Sequence, residues 1–212
     1  MHPLLASLSD LSCVSCDQDG AIALGGRLCT PCADEIPSVL SRLKFREPTS
    51  LRGGWALGPY AGPAGALVRG GKYAGDEGAL RALGQRLADL LPPMVADCWP
   101  DLVVPAPTSL GRSFWRGYDA VHLLARPVAN ALGVPMLPAL QRWGGAPQAS
   151  LGTADRLRNL HGRVQPARAI PPRARVLLVD DVRTTGATAE TCSDALLGAG
   201  AAEVWLLVVC AA

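Results

Sequence analysis

Between residues 176 and 188 an apolar run, two acidic residues and a hydroxyl-rich loop follow one another. Residues 176–179 are four consecutive apolar residues, a pattern typical of a strand buried in a parallel sheet. Asp180 and Asp181 come next, and their carboxylates can accept hydrogen bonds from sugar hydroxyls or lie beside a magnesium ion. A loop that opens into a helix presents backbone N–H groups, which attract a phosphate dianion. The segment therefore predicts a site for a phosphorylated sugar.

The loop after the two acids has the composition that a phosphate site needs. Gly186 lets the backbone approach a ligand closely, and the threonine hydroxyls are hydrogen-bond donors. The alternative is an ordinary parallel strand that ends in a polar turn. The candidate phosphate-binding residues are Thr184, Thr185, Gly186, Ala187 and Thr188.

This segment resembles, over all 13 positions, the motif with which type I phosphoribosyltransferases bind phosphoribosyl pyrophosphate (PRPP). The resemblance implies the α/β type I phosphoribosyltransferase fold, a parallel sheet flanked by helices. It also implies that Asp180 and Asp181 are the catalytic acids that hold the ribose hydroxyls. The 184–188 loop would hold the 5-phosphate, and magnesium would accompany PRPP.

Four of the seven cysteines form two closely spaced pairs near the N-terminus. Cys13 and Cys16 enclose two residues, and twelve residues later Cys29 and Cys32 repeat that spacing. Two such pairs can surround one ion with four thiolates and leave no open position, as in structural zinc sites. Disulfides, a redox-active pair and an iron–sulfur cluster are the alternatives. We predict a small zinc ribbon at the N-terminus.

The rest of the chain alternates between apolar runs and amphipathic segments, which favours a mostly parallel sheet with helical crossovers. Turn-forming residues, including Gly53 and Gly54, mark residues 36–60 as irregular. Pro135 and Pro138 weaken the second of the strands. Helices are predicted at 62–71, 77–91, 119–132 and 188–198, and strands at 101–104, 134–140, 175–180 and 203–210.

A second anion-binding loop is expected after the first of these strands, because open parallel sheets bind ligands at the carboxyl ends of their strands. Arg112 and Arg116 follow residues 105–109 and have the guanidinium geometry that suits pyrophosphate. The alternative is a rigid proline turn with two solvated arginines. Residues 142–159 are polar and rich in glycine and arginine, and we expect either a lid over the site or an exposed linker.

Taken together, these segments resemble the ComF family of bacterial natural competence, in which a zinc ribbon precedes a phosphoribosyltransferase domain. In the second loop the family usually has Arg-Gly-Phe-Asn-Gln, whereas this chain has residues 116–120 as Arg-Gly-Tyr-Asp-Ala. The resemblance implies that Lys72 reaches the phosphates, although an exposed lysine at a helix end would look the same. It rests on Cys13, Cys16, Cys29, Cys32, residues 72–76, 104–107 and 116–118, Arg142, Gln148, Leu151, Arg156, Asn159 and the 176–188 segment.

Composition excludes several broad classes of protein. The net charge is +2 and 49% of the residues are hydrophobic, so bulk charge does not demand a nucleic-acid partner. No run is long enough to span a membrane, and the first twelve residues lack the features of a secretory signal. The uneven cysteine distribution favours a reducing compartment. We predict a bacterial cytoplasmic protein in which Cys192 and Cys210 are core thiols.

We divide the chain into a zinc ribbon at 1–35, a connecting region at 36–95 and a phosphoribosyltransferase domain at 96–212. Because the chain ends two residues after the last predicted strand, we expect residues 36–75 to form the hood over an acceptor. Trp55, Tyr60 and Tyr73 could stack on a base there or pack in the core.

Two functions remain open. The first is an active phosphoribosyltransferase of nucleotide metabolism that transfers phosphoribose from PRPP to a base or another amine. The second is a protein that binds PRPP or a nucleotide and serves DNA uptake, through single-stranded DNA or the competence machinery at the inner membrane. A basic stretch would support the second, although its side chains could equally form a solvated face: Arg42, Lys44, Arg46 and Arg52.

Overall fold

The helices and strands of the chain are taken from a computed structural model that describes residues 12–20, 23–108, 117–142 and 164–212. Two short 3₁₀ turns lie at Pro92–Met94 and Ala96–Cys98. The helices are α1 Thr30–Asp34, α2 Pro63–Tyr73, α3 Glu77–Leu90, α4 Ala120–Leu132 and α5 Ala187–Gly198. The strands are β1 Ser41–Arg42, β2 Gly53–Pro59, β3 Leu102–Pro105, β4 Leu140–Arg142, β5 Val164–Pro166, β6 Arg175–Arg183 and β7 Glu203–Ala211.

In the described part of the chain, the main sheet has five strands in the order β1-β2-β7-β6-β3. β2, β7, β6 and β3 run parallel, and the short β1 is an antiparallel edge strand. The register places Val176 opposite Leu102 and Val204. β4 and β5 form a separate antiparallel pair. The predicted α/β class, with a mostly parallel sheet, is confirmed.

The core lies where helices cover the parallel strands. Residues 176–179 of β6 are fully buried, as expected for a central strand that neighbours contact on both sides. α2, α4 and α5 pack on the sheet, and α3 packs against α2 and α4. Asp119 caps α4 by accepting hydrogen bonds from the N–H groups of Val121 and His122, and Gly133 ends it in the left-handed conformation.

β2 was not predicted, because Gly53 and Gly54 suggested a turn. Both glycines lie in the strand beside β7, where a side chain would not fit. A Cβ on Gly53 would lie 2.6 Å from the ring of Trp205, and one on Gly54 would lie 2.5 Å from the carbonyl oxygen of Leu206. The glycines are therefore explained by close packing within a strand.

Two strand predictions need correction in their extent. Residues 134–140 contribute one parallel bridge, between Met136 and Val103, and the regular strand β4 starts at Leu140. β6 continues three residues beyond Asp180, because its pairing with β7 runs on to Arg183. The two acidic residues thus lie inside the end of a strand, whose backbone pairing fixes their positions.

The division of the chain at 35 and 95 stays a prediction. β2, from the predicted connecting region, pairs with β7 of the main sheet. None of the helices in the described ranges combines the length and apolar character needed to span a bilayer.

Candidate functional site

A cavity of about 380 Å³ opens at the carboxyl end of β6. It brings together side chains from six segments of the chain, as expected for the crevice at the strand ends of an open parallel sheet. Of the predicted site residues, Lys72, Asp180, Asp181, Thr184 and Thr188 line it. The remaining lining residues are Tyr60, Ala106, Pro107, Thr108, Ala120, Val121, Arg142 and Val182.

Asp181 forms an ion pair with Lys72 at the wall of this cavity. The Lys72 Nζ lies 2.7 Å from the Asp181 Oδ2. Asp181 is 6% exposed, and Lys72 comes from the last turn of α2. Because both groups are largely removed from water, their attraction is screened less than that of a surface pair. The pair places one ammonium and one carboxylate at the position where a ligand would enter.

Asp180 has a strongly altered acidity. Burial and the neighbouring Asp181 carboxylate raise the pKa of Asp180 to about 7, although the Asp181 N–H, Lys72 and Arg142 oppose the rise. That N–H donates to the Asp180 Oδ1 at 2.8 Å. A buried carboxylate with a raised pKa is a recurrent feature of functional sites, and a cation that approached the cavity would favour the ionised form of Asp180.

The raised pKa of Asp180 predicts a stability that falls as the pH rises. An aspartate in the unfolded chain titrates near pH 3.9, so between about pH 4 and 7 the native state holds a proton that the unfolded state releases. The native state therefore loses stability as the pH rises through 7. Asp180→Asn keeps an acceptor for the Asp181 N–H and removes the ionisation.

We expect the free energy of unfolding of Asp180→Asn, relative to the wild type, to increase by roughly 2–4 kcal/mol between pH 4.5 and 7.5. We expect a difference near the lower end of this range, because the Asp180 side chain is only partly buried. Urea denaturation at several pH values measures the difference. A difference that stays constant over this pH range would show that Asp180 is ionised in the native state throughout.

The loop before α5 encloses a second, smaller space of about 30 Å³. Gly186 caps α5 with a φ of +84°, a conformation that favours glycine. The N–H groups of the first helical turn have no partner within a helix, and they lie next to the Thr184, Thr185 and Thr188 side chains. This space shares Asp180, Thr184 and Thr188 with the larger cavity, so a phosphate and a sugar could occupy adjoining positions.

Arg183 contributes to this loop and was missed in the sequence analysis. Its guanidinium lies 4.9 Å from the centre of the Phe45 ring, and its buried Nε has no hydrogen-bond partner among the described residues. That Nε would be 3.3 Å from a Cβ on Gly186. A buried, unpaired donor beside the loop favours an anion there. The feature of the sequence that could have identified Arg183 is its position three residues before Gly186.

Glu190 anchors the first turn of α5 to the segment that precedes β2. Its carboxylate accepts hydrogen bonds from the Thr49 Oγ1 at 2.6 Å, the Ser50 N–H at 3.0 Å and the Ser50 Oγ at 2.9 Å. Ser193 adds a bond from its Oγ to the Ser50 carbonyl at 3.1 Å. These contacts hold α5 in place, and the N-terminus of α5 follows the 184–186 loop.

Glu190→Ala is expected to lower the free energy of unfolding by roughly 2–3 kcal/mol, because it removes three hydrogen bonds to a charged acceptor. Glu77→Ala is the matched control, since its exposed ion pair with Arg81 is worth at most about 1 kcal/mol. Urea denaturation of both variants makes the comparison. Equal losses would mean that the Glu190 contacts contribute no more than a surface ion pair.

The loop after β3 is described only in part. Thr108 lines the cavity and donates from its Oγ1 to the Asp119 Oδ1 at 3.1 Å. Asp119 is occupied in capping α4. Burial raises the pKa of Asp119, but hydrogen bonds from His122 and Thr108 outweigh this effect and lower it. The predicted pyrophosphate ligands Arg112 and Arg116 lie outside the described residues, as do residues 143–159 of the predicted lid.

The four clustered cysteines fit a single tetrahedral ion. Their Sγ atoms all lie within 4.8 Å of one another, and those of Cys16 and Cys29 are 3.7 Å apart. A tetrahedron with Zn–S bonds of about 2.3 Å has edges of about 3.8 Å. The same separation is far longer than a disulfide bond of about 2.05 Å, and all seven cysteines are free. The cluster could therefore hold zinc.

The cluster's thiols differ in acidity. Backbone N–H groups of Cys29, Ser15 and Cys16 outweigh burial and lower the pKa of Cys13 to about 6. Burial and the adjacent thiols raise the pKa of Cys32 to about 12. A metal ion binds thiolates, so its binding would release protons from this cluster. Elsewhere Cys192 and Cys210 are fully buried, which confirms that they are core thiols.

The three aromatic candidates for base stacking have different environments. Trp55 is buried and stacks on Trp205 with ring centroids 5.3 Å apart, so it packs in the core. Tyr60 lines the cavity, with the Arg69 guanidinium 5.3 Å from its ring centre. Tyr73 is 75% exposed and is not among the residues that line the cavity. Tyr60 is the one of the three that a ligand could contact there.

Comparison with known proteins gives two kinds of relative. The chain is 33% identical to Competence protein F from Haemophilus influenzae over 112 residues, which cover 50% of this chain and 49% of that protein. Over half of its length, the chain is similar to Competence protein F. The resemblance found in the sequence is thus confirmed. No model of a protein family matches the chain.

Adenine phosphoribosyltransferases are also similar to this chain. That of Frankia alni is 39% identical over 88 residues, which cover 41% of this chain and 46% of that protein. The chain spans about half the length of the curated relatives it matches.

The solved structures with a similar fold are more distant. Adenine phosphoribosyltransferase from Saccharomyces cerevisiae aligns with 87% of this chain and 90% of its own, at 18% identity and a TM-score of 0.44. Glutamine PRPP amidotransferase from B. subtilis, solved with ADP and GMP, aligns with 65% of this chain and 27% of its own, at 23% identity and a TM-score of 0.43.

Proposed function

We propose that this protein binds the 5-phosphoribosyl group of PRPP or of a nucleotide, together with magnesium. The observation that carries the proposal is the continuity of two spaces. The cavity with Asp180, Asp181 and Lys72 adjoins the small space inside the 183–189 loop. A sugar with a phosphate on one side fits this arrangement, because the acids face the sugar and the N–H groups of the loop face the phosphate.

Each predicted residue has a distinct part in this proposal. Asp180 and Asp181 accept hydrogen bonds from the ribose hydroxyls and supply oxygens for magnesium. Thr184, Thr185, Gly186, Ala187 and Thr188 surround the 5-phosphate. Lys72, now paired with Asp181, is the cation within reach of the diphosphate. Arg112 and Arg116 remain predicted ligands of the diphosphate.

A comparison of ligands with and without the 5-phosphate tests the proposal. Adenosine monophosphate and ribose 5-phosphate should bind, and adenosine and ribose should bind at least roughly tenfold to a hundredfold more weakly, because a charge-assisted hydrogen bond contributes about 1.5–3 kcal/mol. Calorimetric titration of the zinc-loaded protein measures each affinity. Equal binding of adenosine and its monophosphate would contradict a phosphate-binding loop.

A first candidate activity is phosphoribosyl transfer from PRPP to a base or another amine. The similarity to adenine phosphoribosyltransferases supports it. Catalysis would consist of positioning the donor and stabilising charge at the sugar's C1 and on the leaving pyrophosphate. The test is PRPP-dependent pyrophosphate release with a panel of acceptors. Release that depends on one acceptor establishes an enzyme, and PRPP binding without release under any acceptor favours a binding protein.

A second candidate role is in DNA uptake, and the similarity to Competence protein F supports it. Arg42, Lys44, Arg46 and Arg52 are all exposed. Arg42 lies in the edge strand β1, and Lys44 and Arg46 follow it within four residues, so their charges could together contact a phosphate backbone. A single-stranded oligonucleotide should then bind with an affinity that falls steeply with salt, and Arg46→Gln should weaken it. Binding that is insensitive to salt would contradict this role.

Zinc in the four-cysteine cluster is proposed as a structural ion, since four thiolates leave no position for a substrate. The cytoplasmic location stays a prediction.

A further inference from the structure

In the described part of the chain, an ion pair joins the four-cysteine segment to the main fold. Arg27 lies two residues before Cys29, and its Nε is 2.7 Å from both carboxylate oxygens of Asp76. Asp76 lies in the turn between α2 and α3. Both side chains are less than one-third exposed, so the contact is better shielded than a surface ion pair.

The turn is shaped to receive the guanidinium. A Cβ on Gly78 would lie 2.2 Å from the Arg27 Nη2, so any other residue at this position would displace the arginine. Asp76 also accepts a hydrogen bond from the Ala79 N–H at 3.0 Å, which caps α3. The Asp76 carboxylate therefore has a fixed position before Arg27 reaches it.

The same turn continues into the helix that delivers Lys72 to the cavity. The N–H groups of Ala74 and Asp76 donate to the Gly70 carbonyl, at 2.9 and 3.2 Å. Lys72 lies between these residues in the last turn of α2, with its Nζ 2.7 Å from Asp181. A displacement of Asp76 would thus be transmitted to the Lys72 backbone through two hydrogen bonds.

Arg27 is in turn held by the cysteine segment. Its N–H donates to the Ala23 carbonyl, and its carbonyl accepts from the Val14 N–H, both at 3.0 Å. Val14 follows Cys13, so both cysteine pairs flank the backbone that carries Arg27. A metal in the cluster would hold the backbone segments at Val14 and Arg27 together and so fix the position of Arg27.

We propose that Arg27 is a positioning residue that links the four-cysteine cluster to the ligand cavity. Metal in the cluster holds Arg27 against Asp76, and Asp76 holds the end of α2 so that Lys72 meets Asp181. The affinity of the cavity for PRPP then depends on whether a metal occupies the cluster, which lies in a different part of the chain from the residues that line the cavity. The affinity part of this inference rests on the proposed binding of PRPP, and the positioning of α2 does not.

Two variants on opposite sides of the ion pair test the link. Asp76→Asn keeps an acceptor for the α3 cap and removes the charge, and Arg27→Gln leaves all four cysteines in place. Arg81→Gln is the matched control, because its ion pair with Glu77 lies on the exposed face of α3. Each zinc-loaded variant is examined by hydrogen–deuterium exchange of residues 66–76 and by titration with PRPP and magnesium.

Both variants should exchange faster in residues 66–76, with unchanged exchange in β6, and should bind PRPP roughly threefold to thirtyfold more weakly. Removal of zinc from the wild type should do the same, and should add little to the effect of Arg27→Gln. Arg81→Gln should match the wild type in both measurements.

Hydrogen–deuterium exchange tests the positioning of α2, and the titration tests PRPP binding, so the two proposals can fail separately. Wild-type exchange in residues 66–76 of both variants would overturn the link, whatever PRPP does. Faster exchange with wild-type PRPP affinity would overturn the dependence of affinity on Arg27. A wild type that does not bind PRPP at all would refute the proposed function, and the exchange data would still decide whether Arg27 positions α2.

Discussion

Asp181→Asn is expected to weaken magnesium-dependent PRPP binding by roughly tenfold to a hundredfold. Asp181 is the acid that is almost fully removed from solvent, and the variant removes a charged acceptor, worth about 1.5–3 kcal/mol. It also leaves the Lys72 ammonium without its partner 2.7 Å away, which changes the charge of the cavity. Calorimetry of PRPP with magnesium measures the loss.

Asp89→Asn is the control for the change in net charge. Asp89 lies exposed on α3, where it accepts a hydrogen bond from Gln85, and its replacement should leave PRPP affinity unchanged. Thermal denaturation of both variants verifies that they are folded. If a folded Asp181→Asn protein bound PRPP like the wild type, the acidic pair would not be the sugar-binding group.

Removal of the metal, or Cys29→Ser, is expected to unfold the cysteine segment and lower the melting temperature by about 10 °C or more. Among the described residues between 12 and 36, the buried apolar ones are Leu28, Ile36, Cys13, Cys29 and Cys32. A segment with so small a core depends on its metal for a stable structure. Calorimetric melting before and after chelation measures the effect.

Cys98→Ser provides the matched control, because Cys98 is isolated in a 3₁₀ turn and only partly buried. Its melting temperature and metal content should equal those of the wild type. Elemental analysis should find about one zinc ion per wild-type chain. Cys29→Ser protein that melts with the wild type would show that the cluster contributes nothing to stability.

The sequence was most informative where local pattern and chemistry coincide. The 176–188 segment combines a buried strand, a helix start and functional side chains, so a single stretch specified β6, the loop and the acids. The 13–32 spacing was equally direct, because two residues between cysteines suffice to bring two sulfurs to one ion. In both cases the information lies within about twenty residues, and no long-range packing has to be known.

Features that depend on distant contacts could not be predicted. Gly53 and Gly54 are typical of a turn, and only their close contacts with Trp205 and Leu206 of β7 explain why the strand needs glycine there. The partners of Lys72 and Glu190 lie more than 100 residues away along the chain. Such pairs follow from the order of strands in the sheet, which periodicity alone does not give.

In the second loop, the contacts of Asp119 explain its presence where the family usually has asparagine. Asp119, beside a predicted pyrophosphate site, would repel that ligand if it pointed inward. The structure instead uses its carboxylate to cap α4 and to accept from Thr108. Tyr118, another departure from the usual family pattern, donates from its hydroxyl to the Gly71 carbonyl at the end of α2, a bond that phenylalanine cannot make.

The main proposal is that the cavity at the end of β6 binds a phosphoribosyl ligand with magnesium. Its most direct test is a calorimetric titration of the zinc-loaded wild type with PRPP, with and without magnesium. We expect saturable binding of about one PRPP per chain that requires magnesium and is weakened at least about tenfold in Asp181→Asn. Absence of binding with magnesium present, in a protein that is folded and contains its zinc, would contradict it.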